Sequence, residues 1–139
     1  MSFKYCFYTL SIFIVLNCIS SCNSCGSFGE TALGNKFALV EADEHDKSIL
    51  YCTSSECCYA GITIVPKNVV SYKWDSKWIV AKSQDSGRVS YWIIDKEFAI
   101  EFRYDSGMRE EIMSHVTGGL DSVSFNRELI SRQIELKLE

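Results

Sequence analysis

The side chains with the most chemistry fall in two short stretches. One is Cys52-Thr-Ser-Ser-Glu-Cys57-Cys58; the other is the acidic run of Glu41, Asp43, Glu44 and Asp46 around His45. Known zinc sites pair cysteines two to four residues apart and then repeat the pair or add histidines. Here only His45 is close in sequence and no second pair exists, so no metal is assigned to the cysteines. The acidic run offers oxygen ligands, but the alternating acids and the glycine of a calcium loop are missing, and the run reads as a solvated turn. A serine or cysteine nucleophile needs a histidine within hydrogen-bond reach. The chain has two histidines, His45 and His115, and no Gly-x-Ser-x-Gly elbow. It has no phosphate-cradling glycine loop and no His-Glu-x-x-His helix. These patterns assign no catalytic residue and no cofactor. An envelope enzyme or metal-binding protein using the acidic loop and the cysteine cluster stands as the alternative reading.

What the thiols do depends on the compartment. The chain opens with Lys4, an apolar run from Tyr5 to Leu16 and then Ile19-Ser20-Ser21-Cys22. A short positive start, an apolar segment of about a dozen residues and small residues before a cut make a secretory signal. The run falls short of the roughly 20 residues a membrane helix needs. Cleavage is therefore expected, and the exported domain meets oxidising surroundings in which thiols pair. A disulfide is expected between Cys52 and either Cys57 or Cys58 across a tight bend. With Cys25 as a further partner, Cys25, Cys52, Cys57 and Cys58 allow three connectivities of two bridges.

The string Ile19-Ser20-Ser21-Cys22 resembles, position by position, the lipobox of bacterial lipoproteins: an aliphatic residue, two small residues and a cysteine. The resemblance implies cleavage before Cys22, a diacylglycerol on its thiol and an acyl chain such as palmitate on the new amine. Residues 1–21 are then a lipoprotein signal peptide. The protein is expected in the bacterial cell envelope, held to the membrane by its N-terminal lipid and facing the periplasm or the exterior. Several acyl chains on one cysteine suffice for stable anchoring.

Composition fits one small domain on a tether. Of 139 residues, 14 are basic and 18 acidic, a net charge of -4. That mild acidic balance, without a basic patch, argues against nucleic acid and against electrostatic docking on anionic lipid. Glycine, serine and asparagine dominate from Asn23 to Lys36, so residues 22–36 read as a flexible tether and residues 37–139 as a single α+β domain.

The elements of that domain are read from periodicity. Short apolar runs at Phe37 to Ala42 and Ser48 to Thr53 flank the acidic turn. Ile62 to Val65 is a strand ended by Pro66. Val70, Tyr72 and Trp74 alternate with polar residues; Trp78 to Ala81 and Tyr91 to Ile94 follow, separated by turns at Asp75-Ser76 and Asp85-Ser86-Gly87. Phe98, Ile100, Phe102 and Tyr104 alternate as a further strand. Met108 to Val116 fits a short helix, with Ser106 as its cap and Glu110 and Glu111 in its first turn. Asp121 caps a firmer helix with Phe125 and Leu129 on one face, and Ile134, Leu136 and Leu138 alternate as a closing strand. The expected fold is mostly antiparallel β-sheet, a meander, with one short C-terminal helix packed on it.

The strings Ile64 to Tyr72, Trp78 to Lys82 and Tyr91 to Asp95 resemble the core of a family of small bacterial lipoproteins of unknown function. Gly118-Gly119-Leu120-Asp121-Ser122-Val123-Ser124-Phe125 is similar to that family's Gly-Pro-Leu string followed by Asp-Ser-x-x-Phe, with Gly119 in the place of proline. The likeness runs from Ile62 to Leu138 without the segment from Phe98 to Val116. It implies a fold and brings no activity. The functional expectation is a non-catalytic binding or interaction module, inhibitor or immunity proteins being a special case. Its partner would be an envelope protein or a glycan. Tyr72, Trp74, Trp78 and Trp92 are the candidate binding surface, although such rings more often fill a core.

Overall fold

The computed structural model describes residues 29–43, 45–54, 58, 61–66, 68–100 and 106–138. Among them are two antiparallel four-stranded sheets and two short helices, an α+β fold dominated by strands. The first sheet is β1 (Gly29–Gly34), β2 (Phe37–Asp43), β3 (Asp46–Tyr51) and β4 (Ile62–Val65), in that order. The second is β5 (Val69–Trp74), β6 (Trp78–Asp85), β7 (Arg88–Asp95) and β8 (Val116–Leu120). Helices α1 (Ser106–Ser114) and α2 (Ser122–Ser131) flank β8 in sequence. Residues 1–21, expected as a leader, and the cysteines Cys22, Cys25 and Cys57 lie outside the described residues.

Turn chemistry fixes each hairpin. Ser86 and Gly87 both take positive φ between β6 and β7, the backbone that a two-residue hairpin turn needs to match strand twist. Between β5 and β6 the Asp75 carboxylate accepts the backbone N–H groups of Lys77 at 2.8 Å and Trp78 at 2.7 Å. Asp43 does the same for His45 at 2.7 Å in the acidic turn.

The alternation along each strand sorts its side chains into three cores. Phe37, Leu39, Ile49, Tyr51 and Val65 of the first sheet share one buried cluster with Val69, Ile79, Ala81 and Ile94 of the second, completed by Met108 and Ile112 of α1. Val80 and Ile93 point the other way, onto Phe125 and Leu129 of α2 and onto Ile134. Burying side chains of this size stabilises by about 1.5–3 kcal/mol each, which is what seats so short a helix. Ala38, Leu50 and Cys58 form a small third cluster on the outer face of the first sheet.

Four expectations are corrected. The domain begins before Phe37: Gly29–Gly34 is a strand, not tether, because Leu33 is fully buried and β1 pairs with β2 from Gly29↔Glu41 to Gly34↔Phe37. The stretch after β7 is no strand over Glu97 to Ile100, since the edge of β7 is taken by β8. Phe98 instead turns its ring between Phe37, Tyr51 and His115, while residues 101–105 lie outside the described residues. Helix α1 starts at Ser106 itself, which puts Glu110 and Glu111 beyond its first turn, and it stops at Ser114 because Val116 enters β8. The tail from Ile134 to Leu138 joins no ladder; its alternation serves to lay Ile134, Leu136 and Leu138 against the outer face of the second sheet. Asp121 caps α2 as expected, its carboxylate accepting the Ser124 N–H at 2.7 Å, and that bond holds the carboxyl below the usual aspartate range.

Lys96 ties the layers together. It is 4 % exposed, and its ammonium donates to the carbonyl of Leu33 in β1 at 2.7 Å and to that of Asp75 in the β5–β6 turn. Asn35 donates to the backbone carbonyls of Lys96 and Phe98, fastening the same corner from the first sheet. Burial pushes the Lys96 pKa down, opposed by Asp75.

Of the four candidate cysteines, Cys52 and Cys58 form a disulfide with Cα atoms 4.6 Å apart. It closes the loop after β3 against β1, where the Cys58 N–H donates to Glu30 at 3.2 Å. Gly61 lets the loop close: a Cβ there would stand 2.6 Å from the Tyr51 carbonyl oxygen and 3.2 Å from the Cys58 sulfur. A bridge spanning six residues removes about 2 kcal/mol of unfolded-chain entropy in the loop-closure account. Cys52→Ala is expected to cost about that much in urea unfolding. No change would mean that the thiols are reduced in the native protein.

Candidate binding cleft

Following β6 and β7 along their inward faces shows where the core gives way to a site. Ile79 and Ala81 on β6, and Ile94 on β7, are apolar and buried. Next come Ser83 and Ser90, directly opposite each other, and then Asp85 opposite Arg88 at the hairpin tip. The stripe thus passes from apolar to hydroxyl to charged within one unbroken ladder. Ser83, Asp85, Arg88 and Ser90 line an open concavity of about 570 Å³ together with Trp92, Asn68 and Gly119.

Trp92 is the wall of the cleft. Its indole N–H donates to the Ser83 hydroxyl oxygen at 2.9 Å, which fixes the ring and leaves the hydroxyl proton for another acceptor. The ring lies against Gly118, where a Cβ would stand 2.0 Å from its Cε3 atom. The pairing of β7 with β8 shifts register between Tyr91 and Ile93, so β8 carries an extra residue opposite Trp92. Gly119 meets the backbone demand of that bulge with φ +70°, a conformation proline cannot take.

A second concavity of about 420 Å³ adjoins the first through Asn68 and is bordered by His45, Lys47, Val70, Tyr72 and Gln84. Lys47 is held by Glu41 at 3.0 Å. Asn68 takes φ +67°, and its carbonyl accepts the Gln84 N–H at 3.0 Å. The acidic turn and the β6–β7 tip therefore share one end of the molecule.

The four rings proposed as a platform separate. Tyr72 and Trp74 stack at 5.7 Å on the edge strand β5, and Trp74 is 43 % exposed. Trp92 belongs to the cleft. Trp78 lies on the opposite face of the second sheet against the α2 cluster, with the Arg132 guanidinium 5.9 Å and the Lys77 ammonium 5.3 Å from its ring. Arg132 is itself held by Glu128 at 2.9 Å and the Thr117 hydroxyl at 2.9 Å, a packing role. Strand parity explains the split: Trp78 and Trp92 come from adjacent strands but face opposite sides.

The groups of the alternative reading do not converge. His45 and Asp46 sit at the start of β3, and Cys52 follows its end, a separation of roughly 20 Å along an extended strand. Cys52 and Cys58 are joined to each other, and among the described residues no group of three or more His, Cys, Asp or Glu side chains is placed to hold a metal ion. No described helix is long and apolar enough to cross a membrane. The polar half of the cleft, Ser83, Asp85, Arg88 and Ser90, was not singled out from sequence. Its available signal was the period-two stripe of polar residues continuing the inward face of β6 and β7. Comparison with family models, curated proteins and solved structures finds no match to this chain.

Proposed function

We propose that this chain is a lipid-anchored protein of the bacterial cell envelope and acts as a non-catalytic binding module, with the Trp92 cleft as its contact surface. An inhibitor or immunity protein is one form such a module takes. The observation that carries the binding reading is the inward stripe of β6 and β7. It brings two hydroxyls and two opposed charges around a fixed indole, on the same face that forms the core further along the two strands. Concave sites with a few convergent polar groups are where ligands are held. The anchor rests on Ile19-Ser20-Ser21-Cys22 and on the likeness to small bacterial lipoproteins.

Two measurements test the two halves. Cys22→Ala is expected to abolish incorporation of labelled palmitate and to leave an unprocessed precursor; efficient labelling of that variant would place the lipid elsewhere. For the surface, a photoreactive residue at position 90 should give an envelope adduct that Asp85→Ala removes, while the same probe at Ser76, in the β5–β6 turn, should not. Equal adducts from both positions would move the contact surface away from the cleft.

A further inference from the structure

We infer that the ligand of the Trp92 cleft is a saccharide, a deduction that rests on the cleft being the contact surface. The floor of the cleft is built from β6 and β7, both internal strands of their sheet. Their mutual ladder runs without interruption from Trp78↔Asp95 to Asp85↔Arg88. An extended peptide is held mainly by strand addition at an open sheet edge, and this floor has none to offer. Recognition falls to side chains.

Those side chains match a ligand whose every polar group both donates and accepts. Ser83 and Ser90 do both, Asp85 only accepts and Arg88 only donates. No hydrogen bond or ion pair to another described residue engages the Arg88 side chain, although Asp85 stands directly opposite it in the ladder. A carboxylate and a guanidinium facing each other across one strand spacing can each take two neighbouring hydroxyls of a sugar ring. Trp92 adds an apolar wall for the C–H face of the same ring. The two charges cancel, so a neutral sugar enters without leaving one unpaired, and a volume of about 570 Å³ falls in the range of small-ligand sites.

The test is a titration of the full chain in detergent with chitotetraose and with maltotetraose, followed by calorimetry and by indole emission. At least one is expected to bind and to shift the emission. Asp85→Ala and Arg88→Ala are each expected to weaken binding by about tenfold or more with Tm unchanged, since both side chains are exposed at the hairpin tip. Failure of both sugars to bind at about 10 mM, or binding that neither variant weakens, overturns the saccharide assignment. A peptide that binds and is weakened by Arg88→Ala overturns it too, but leaves the contact surface standing. Loss of the position-90 adducts would remove that surface itself.

Discussion

Gly118→Val is expected to cost roughly 3 kcal/mol of stability and to release the Trp92 ring from Ser83. A Cβ at position 118 would lie 2.0, 2.2 and 2.9 Å from three atoms of the indole, far inside van der Waals contact. The ring cannot swing aside cheaply, because it packs against the main core and its N–H is fixed on Ser83. Either β8 leaves β7 or Trp92 leaves the cleft. Urea unfolding reads the first outcome, and a red shift of indole emission reads the second. In a Trp92→Leu background the penalty of Gly118→Ala should fall sharply, since neighbouring substitutions that share one clash are not additive. An undiminished penalty there would show that the backbone, not the ring, requires glycine.

Lys96→Ala should be comparably damaging, by about 3 kcal/mol. It strips the carbonyls of Leu33 and Asp75 of their donor and leaves the space of the lysine stem empty. Lys96→Met refills the space without restoring the bonds and is expected to recover about half of the loss. The pH dependence follows from the lowered pKa of the buried ammonium. Between that value and 10.5, the unfolded lysine value, the unfolded chain holds the extra proton. The Lys96 contribution to stability is therefore constant at lower pH and rises with pH through that window. The stability difference between wild type and Lys96→Met should climb in the same direction. A flat difference up to pH 10.5 would mean that the ammonium is hydrated rather than buried.

The sequence by itself determined the local elements with strong two-residue or four-residue periods. Strands β2 to β7, the hairpin turns at Asp75 and Ser86-Gly87, and the Asp121 cap of α2 all follow from side chains acting on their own backbone within a few positions. A cysteine pair was legible for the same reason, although only the loop geometry around Gly61 selected Cys58 as the partner of Cys52.

Tertiary structure decided everything that depends on which surface an alternating stretch finds. Phe98 to Ile100 and Ile134 to Leu138 have the period of strands, yet they bury their apolar side chains without joining a ladder. The glycine-rich signal of a tether misled for Gly29–Gly34 because a single buried Leu33 and an edge to pair with outweigh local flexibility. The cleft is of the same kind. Alternation says that Ser83, Asp85, Arg88 and Ser90 share a face with Ile79 and Ile94, but only the packed sheets determine how far along that face the core extends. Periodicity specifies a side chain's direction; burial depends on what the rest of the chain brings opposite it.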